Sequence, residues 1–173
     1  MTDPAVVARC FAPSEYVVPS EMKVDESAPV IAAAEIEVGA DAETVWEVLT
    51  QIEGWPSWNP AVKSVSLTGL VAEGTQFRWK AGPGTITSTI QRVDRPRLIG
   101  WTGKTLGLGA VHVWRLESRG DRTLVKTEES FAGLPARILR RRMQKMLQKE
   151  LDEGLRRLKI EAERRAASPG APG

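Results

Sequence analysis

The stretch PARILRRRMQKMLQKELDEGLRRLKIEAERR, residues 135–165, decides the fold. Leu139, Met143, Met146, Leu147, Leu151, Leu155, Leu158 and Ala162 recur in it as one apolar stripe at helical spacing. Pro135 suits a first helical turn. A helix of about 28 residues is about 42 Å long at 1.5 Å per residue, so the spacing predicts a rod that crosses a whole domain. Its stripe needs a broad apolar partner, and the chain offers only a curved sheet. The expected architecture is α+β: an antiparallel sheet of six to seven strands around a long C-terminal helix, with one or two short helices after the first strand.

The sheet is legible upstream. Over 30–38, Ala34, Ile36 and Val38 share one face while Glu35 and Glu37 take the other. Asp41 is placed to cap a helix whose buried stripe is Val45, Val48, Leu49 and Ile52, and Gly54 and Pro56 stop it. The segment Trp55-Pro56-Ser57-Trp58-Asn59-Pro60 reads as irregular, because its prolines lack amide hydrogens and restrict their predecessors. Further strands are expected at about 62–67, 75–81, 84–93, 98–102, 110–117 and 123–131, with turns at Gly82-Pro83-Gly84, Arg95-Pro96-Arg97 and Arg119-Gly120-Asp121. Connections this short suit antiparallel hairpins and exclude parallel crossovers. Three parts are expected: a partly ordered arm over 1–28, a ligand-binding domain over 29–165 and a disordered tail over 166–173. A short strand around Tyr16-Val17-Val18 is the alternative for the arm.

Composition excludes several classes. Cys10 is the only cysteine and His112 the only histidine, so an intrachain disulfide and zinc sites of several His or Cys ligands are ruled out, and no metal site or cofactor is expected. A net charge of +2 is too small to imply nucleic acid as a partner. The first residues lack a basic segment followed by an apolar run, and no stretch approaches the ~20 apolar residues of a bilayer span, so the expected address is cytoplasmic. There is no glycine-rich phosphate loop and no Gly-x-Ser-x-Gly elbow. The C-terminal helix is lopsided in charge: residues 137–165 hold eleven bases against five acids. Arg140, Arg141, Arg142 and Lys145 form either a solvated face or a weak contact with anionic lipid headgroups.

The order of elements, with Ile36-Glu37-Val38-Gly39-Ala40-Asp41-Ala42-Glu43-Thr44-Val45-Trp46, the Trp55-Pro56-Ser57-Trp58-Asn59-Pro60 turn, Arg95-Pro96-Arg97-Leu98-Ile99-Gly100-Trp101 and Thr127-Glu128-Glu129-Ser130-Phe131-Ala132-Gly133-Leu134, resembles the SRPBCC or START-like superfamily. Within it, the polyketide cyclase/dehydrase and lipid-transport branch is the nearer likeness, over about residues 30–165. The resemblance implies the helix-grip fold and a cavity between sheet and helix. It carries over no catalytic set residue by residue.

Candidate cavity residues are aromatic first. Trp55, Trp58 and Asn59 flank the irregular turn at a cavity mouth, where an indole either closes the core or stacks on a ligand. Pairing about Gly82 puts Phe77, Trp79, Ile86 and Ile90 on the inward face. Carried on without a bulge, that face includes Leu98, Val111, Val113, Val125, Thr127 and Glu129, leaving Trp101, His112, Trp114 and Glu128 outside; a single bulge would reverse the assignment from the fourth strand on. Met143, Leu147 and Leu151 line the helix side. His112 falls opposite Glu128 in a hairpin turning at Gly120, and with Glu128 or Glu129 could serve as a general base with its orienter, or be a satisfied structural histidine.

The expected function is binding or carriage of a hydrophobic small molecule, a lipid, polyketide or isoprenoid-like compound, without turnover. A cofactor-independent cyclase or dehydratase using His112 with Glu128 or Glu129 is the second reading. An interaction module with a collapsed cavity, monomeric or a homodimer, is the third.

Overall fold

The computed structural model describes residues 22–82 and 84–168. Seven strands form one antiparallel sheet: β1 (Val30–Val38), β2 (Ser64–Leu67), β3 (Gln76–Ala81), β4 (Gly84–Asp94), β5 (Leu98–Thr105), β6 (Leu108–Arg119) and β7 (Arg122–Ala132), in the order β1-β7-β6-β5-β4-β3-β2. The helices are α1 (Ala42–Thr50), the single turn α2 (Trp55–Trp58), α3 (Leu134–Ile138) and α4 (Arg140–Ala166), with a 3₁₀ turn at Ile52–Gly54. The expectation for the arm over 1–28 falls mostly outside the described residues, as does Tyr16-Val17-Val18. Of the tail, 169–173 likewise lies outside.

Local chemistry explains the element ends. Asp41 Oδ1 accepts from the Thr44 amide at 2.8 Å and caps α1. The Trp55–Trp58 segment, expected to be irregular, is one α-helical turn, because Pro56 sits in a first turn where an amide hydrogen has no helical partner anyway. The C-terminal rod is also not continuous. It breaks at Leu139 (φ −102°, ψ 24°) into α3 and α4, and the stripe turns inward only from Leu147: Leu147, Leu151, Leu155, Leu158 and Ala162 are buried, whereas Leu139 and Met146 are exposed.

α4 packs along β1 and α1. Its polar side chains also close the free edge of β1. Gln144 Oε1 accepts from the Ile31 amide (3.3 Å) while its Nε2 donates to the Ile31 carbonyl (2.6 Å), and Gln148 Nε2 donates to the Ala33 carbonyl (3.0 Å). Lys159 Nζ donates to the Glu37 carbonyl (2.7 Å), and Glu163 accepts from the Gly39 amide (2.7 Å). An open strand edge is a template for aggregation, and here the helix satisfies its backbone groups.

The decisive irregularity is a bulge in β4 between Ile90 and Arg92. Ile90 pairs with Trp101, and beyond Gln91 the pairing resumes as Arg92–Gly100 and Val93–Ile99. One extra residue exchanges the faces, so Trp101, His112 and Trp114 point into the core and are buried there. The bulge-free assignment of Leu98, Val111 and Val113 to the inner face is thus corrected. The hairpin β6–β7 turns on Gly120-Asp121 with Arg119 paired to Arg122, which leaves Val125, Thr127 and Glu129 inward and places Glu129, not Glu128, opposite His112. Glu128 lies on the outer face, where it takes Arg115 Nη1 at 2.7 Å. Leu98 and Val113 are buried although they face outward. Residues 22–28 run over that surface, held by Arg115 Nη2 on the Met22 carbonyl (2.7 Å) and the Asp25 amide on Ser130 Oγ (3.1 Å).

Candidate functional site

Two interior spaces lie between sheet and helix. The larger, about 370 Å³, is walled by Trp79, Ala81, Ile86, Ser88, Trp101, Leu108, Ala110 and Phe131 from the sheet, with Pro135, Met143 and Met146 from α3 and α4. Its polar wall is Ser88, Thr105, Glu129 and Glu150. Exposed Leu106 and Met146 are among its lining residues, so it opens at the end formed by the β5–β6 hairpin and α3. The smaller, about 80 Å³, is bounded by Leu49, Trp55, Trp58, Asn59, Val62, His112, Trp114 and Gly154, and shares Trp79 and Trp101 with the larger.

The aromatic partition between the spaces is built around Trp55. Its ring meets Phe77, Trp79 and Trp101 at centroid distances of 5.7, 5.8 and 5.8 Å, and its Nε1 donates to the Leu49 carbonyl at 2.9 Å. The first two contacts are edge-on and the third tilted, and together they bury large apolar area in one fixed arrangement. Trp79 Nε1 donates to Ser88 Oγ at 3.0 Å. The Nε1 atoms of Trp58 and Trp114 are buried without an acceptor among the described residues.

His112 stands between Trp101 (5.0 Å) and Trp114 (5.1 Å). Its Nε2 lies 2.8 Å from Thr127 Oγ1 and its Nδ1 3.5 Å from Glu129 Oε2. Burial acts on both members in the direction of neutrality. It holds His112 down to about 3 and pushes Glu129 up to about 8, with the nearby Glu150 carboxylate adding to the rise. A charge in so dry a place loses its hydration and gains little in return. The pair therefore holds a single proton at neutral pH, and the Glu129 carboxyl lies in the wall of the larger cavity. Glu150 is raised too, by desolvation first and then by Glu153, while remaining solvent-accessible at the cavity rim.

The residues singled out from sequence are distributed as follows. Trp79, Ile86, Trp101, Met143 and Glu129 line the larger cavity; Trp55, Trp58, Asn59, His112 and Trp114 line the smaller. Phe77, Ile90, Leu147 and Leu151 are core residues, buried behind those walls. Asn59 is engaged structurally, its Oδ1 accepting from Arg157 Nη1 at 2.9 Å and from the Ala61 amide at 3.2 Å. The sequence reading missed Glu150, Thr105, Leu106 and Leu108. The last three belong to a hairpin that extends β5 to Thr105 and turns on Leu106-Gly107, both at positive φ (45° and 76°); the glycine was the only signal of that turn. Among the described residues no group of three or more His, Cys, Asp or Glu side chains could hold a metal, and no helix is long and apolar enough to cross a membrane.

Comparison with solved structures places this geometry. The Zhui aromatase/cyclase from Streptomyces sp. R1128 superposes with a TM-score of 0.70 at 21% identity, over 82% of this chain and 98% of that one. A START superfamily protein from Mycobacterium smegmatis gives 0.61 at 20% identity, over 81% and 99%. Norcoclaurine synthase from Thalictrum flavum, solved with dopamine and hydroxybenzaldehyde, gives 0.62 at 16% identity, over 82% and 88%. At these identities the likeness is one of fold, the START-like helix-grip. No curated protein sequence matches significantly. The family model described as polyketide cyclase / dehydrase and lipid transport matches residues 29–163, and the chain belongs to that family.

Proposed function

We propose that the chain binds an apolar small molecule, of the lipid, polyketide or isoprenoid kind, in the larger cavity. The observation that carries the reading is the cavity itself: about 370 Å³ walled mainly by Trp79, Ile86, Trp101, Leu108, Phe131 and Met143. Ligand pockets run from about 300 to 1,000 Å³ and combine apolar walls with a few placed polar groups. Burying a guest here would contribute roughly 25 cal/mol per Å² of apolar area before the losses of association. Ser88 and Glu129 would orient it by accepting from, or donating to, a hydroxyl or carbonyl. Native mass spectrometry of the purified protein, beside the denatured sample, tests this. A guest of several hundred daltons that disappears on denaturation is the expected result. A protein that stays empty and takes up no apolar compound on screening contradicts it.

A second reading, a cyclase or dehydratase, is favoured by one specific arrangement. The Glu129 carboxyl faces the ligand space with His112 behind it and Thr127 fixing the far imidazole nitrogen. In that role Glu129 would exchange a proton with the ligand and His112 would be its positioning residue. Loss of turnover in Glu129→Gln with retained ligand affinity is the outcome that separates an enzyme from a carrier; a ligand recovered chemically unchanged from the unaltered protein argues for carriage.

A further inference from the structure

We propose that the rim of the larger cavity is a docking surface for an anionic lipid bilayer. Among the described residues, five of the seven large apolar side chains left in solvent are at this end: Leu106 (75% exposed) on the β5–β6 hairpin, Leu134 (68%) and Ile138 (70%) on α3, then Leu139 and Met146, the other two being Leu70 and Ile160. They are neighbours in space. Gly133 opens α3 at φ +110°, and a Cβ there would collide with the Gly107 carbonyl, so the hairpin tip and α3 abut. Leu106, Pro135 and Met146 also line the cavity, which places the apolar rim around its opening. Scattered exposed apolar residues are ordinary; a group of five on one rim is not.

Charge identifies the partner. From Gly133 to Lys149 the chain holds Arg137, Arg140, Arg141, Arg142, Lys145 and Lys149 and no acid, against the single carboxyl that the next residue, Glu150, brings to the rim. All six side chains are exposed. Among the described residues, only Lys149 has an ion-pair partner, Glu153 at 3.7 Å. Lys104 adds a further exposed base beside the hairpin tip. Elsewhere on the surface arginines are mostly matched, as with Arg95–Glu43, Arg115–Glu128 and Arg122–Glu37. Unmatched bases flanking an apolar rim suit a surface that is negative at the headgroups and apolar beneath, with the leucines entering the acyl boundary and the guanidiniums remaining at the phosphates. An apolar guest could then pass between bilayer and cavity without crossing water. That transfer rests on the ligand-binding reading above; the docking does not.

The test is sedimentation with vesicles of phosphatidylcholine alone and of phosphatidylcholine containing one third phosphatidylglycerol. The full chain is expected to pellet with the anionic vesicles, to bind the neutral ones far more weakly, and to be released by about 0.5 M salt, where screening is strong. The triple variant R140E/R141E/R142E should lose about 100-fold in vesicle affinity, since each base contributes to attraction at the surface. L134S/I138S, which alters two exposed rim residues outside the cavity wall, should lose about 10-fold with unchanged net charge. Both should keep their melting temperature and their uptake of an apolar fluorescent probe. Failure of the unaltered chain to bind anionic vesicles, equal binding to both vesicle types, or retention of a DNA duplex without vesicle binding each overturns the docking. Vesicle binding without probe uptake leaves the docking standing and removes the ligand-binding reading instead.

Discussion

His112 and Glu129 are readable as a pair only through their protons. Folded, the two hold one proton between about pH 3 and about pH 8. Unfolded, with ordinary values of 6.5 and 4.5, they hold two protons below pH 4.5, one between 4.5 and 6.5, and none above. Stability rises with pH where the unfolded chain carries more protons and falls where it carries fewer. The pair's contribution is therefore level from pH 4.5 to 6.5, declines as pH climbs from 6.5 toward 8, and declines as pH drops from 4.5 toward 3. This holds wherever the shared proton sits. Glu129→Gln should abolish the alkaline decline and start the acid decline at 6.5 instead of 4.5, because only the histidine then titrates. Urea denaturation at intervals across pH 3–9 checks it; an unchanged alkaline limb in the variant contradicts it. Other carboxylates steepen the acid limb, notably Glu161, which Arg164 and then Arg165 hold down to about 2. The sequence marked His112 as the single neutral-range group but set it against Glu128. That error of one residue came from the hairpin, since the turn geometry that pairs Arg119 with Arg122 decides which of two adjacent glutamates turns inward.

At the scale of elements, periodicity was legible and interruptions were not. The inward faces of β3 and β4 followed from alternation about a tight turn, and Phe77, Trp79, Ile86 and Ile90 lie where that alternation puts them. The bulge at Gln91 carries no glycine or proline to announce it, so the facing of β5 and β6 stayed open in the sequence. The α3–α4 break is equally silent: Ile138-Leu139-Arg140 reads as helix by any propensity. What the break does is turn five residues across the cavity mouth. Gly133→Ala should loosen it, because the new Cβ must meet the Gly107 carbonyl at a backbone angle that favours glycine. A loss of about 2 kcal/mol or more is expected by thermal or urea denaturation; a neutral effect would show that α3 does not lean on the hairpin. Gly154→Ala should do the opposite. A Cβ there meets nothing within 4 Å and faces the smaller cavity, so the helix gains about 1 kcal/mol with no collision. A destabilised Gly154→Ala would mean that the smaller space is filled.

For the whole molecule, the long amphipathic stripe and the turn spacing were enough to specify a sheet gripping a helix, because a rod of that length has no other apolar surface to lie on. They did not specify where the helix leaves space. α4 packs tightly from Leu147 onward and against β1, so Leu147 and Leu151 fill the core, and the cavity is displaced toward its first turns and the β5–β6 hairpin. That asymmetry joins an apolar interior to an apolar, basic rim in one molecule. It also identifies a position from which the interior can be filled: Ala110, partly buried on the cavity wall near the β5–β6 turn. The most direct measurement is a titration of the unaltered chain and of Ala110→Phe with an apolar fluorescent probe, read by quenching of the tryptophans that line the cavity. Saturable one-to-one binding by the unaltered chain, weakened at least about 10-fold in a variant that melts at the same temperature, is the result expected of a ligand buried against that wall. Equal binding by both chains, or no saturable binding by either, would contradict it.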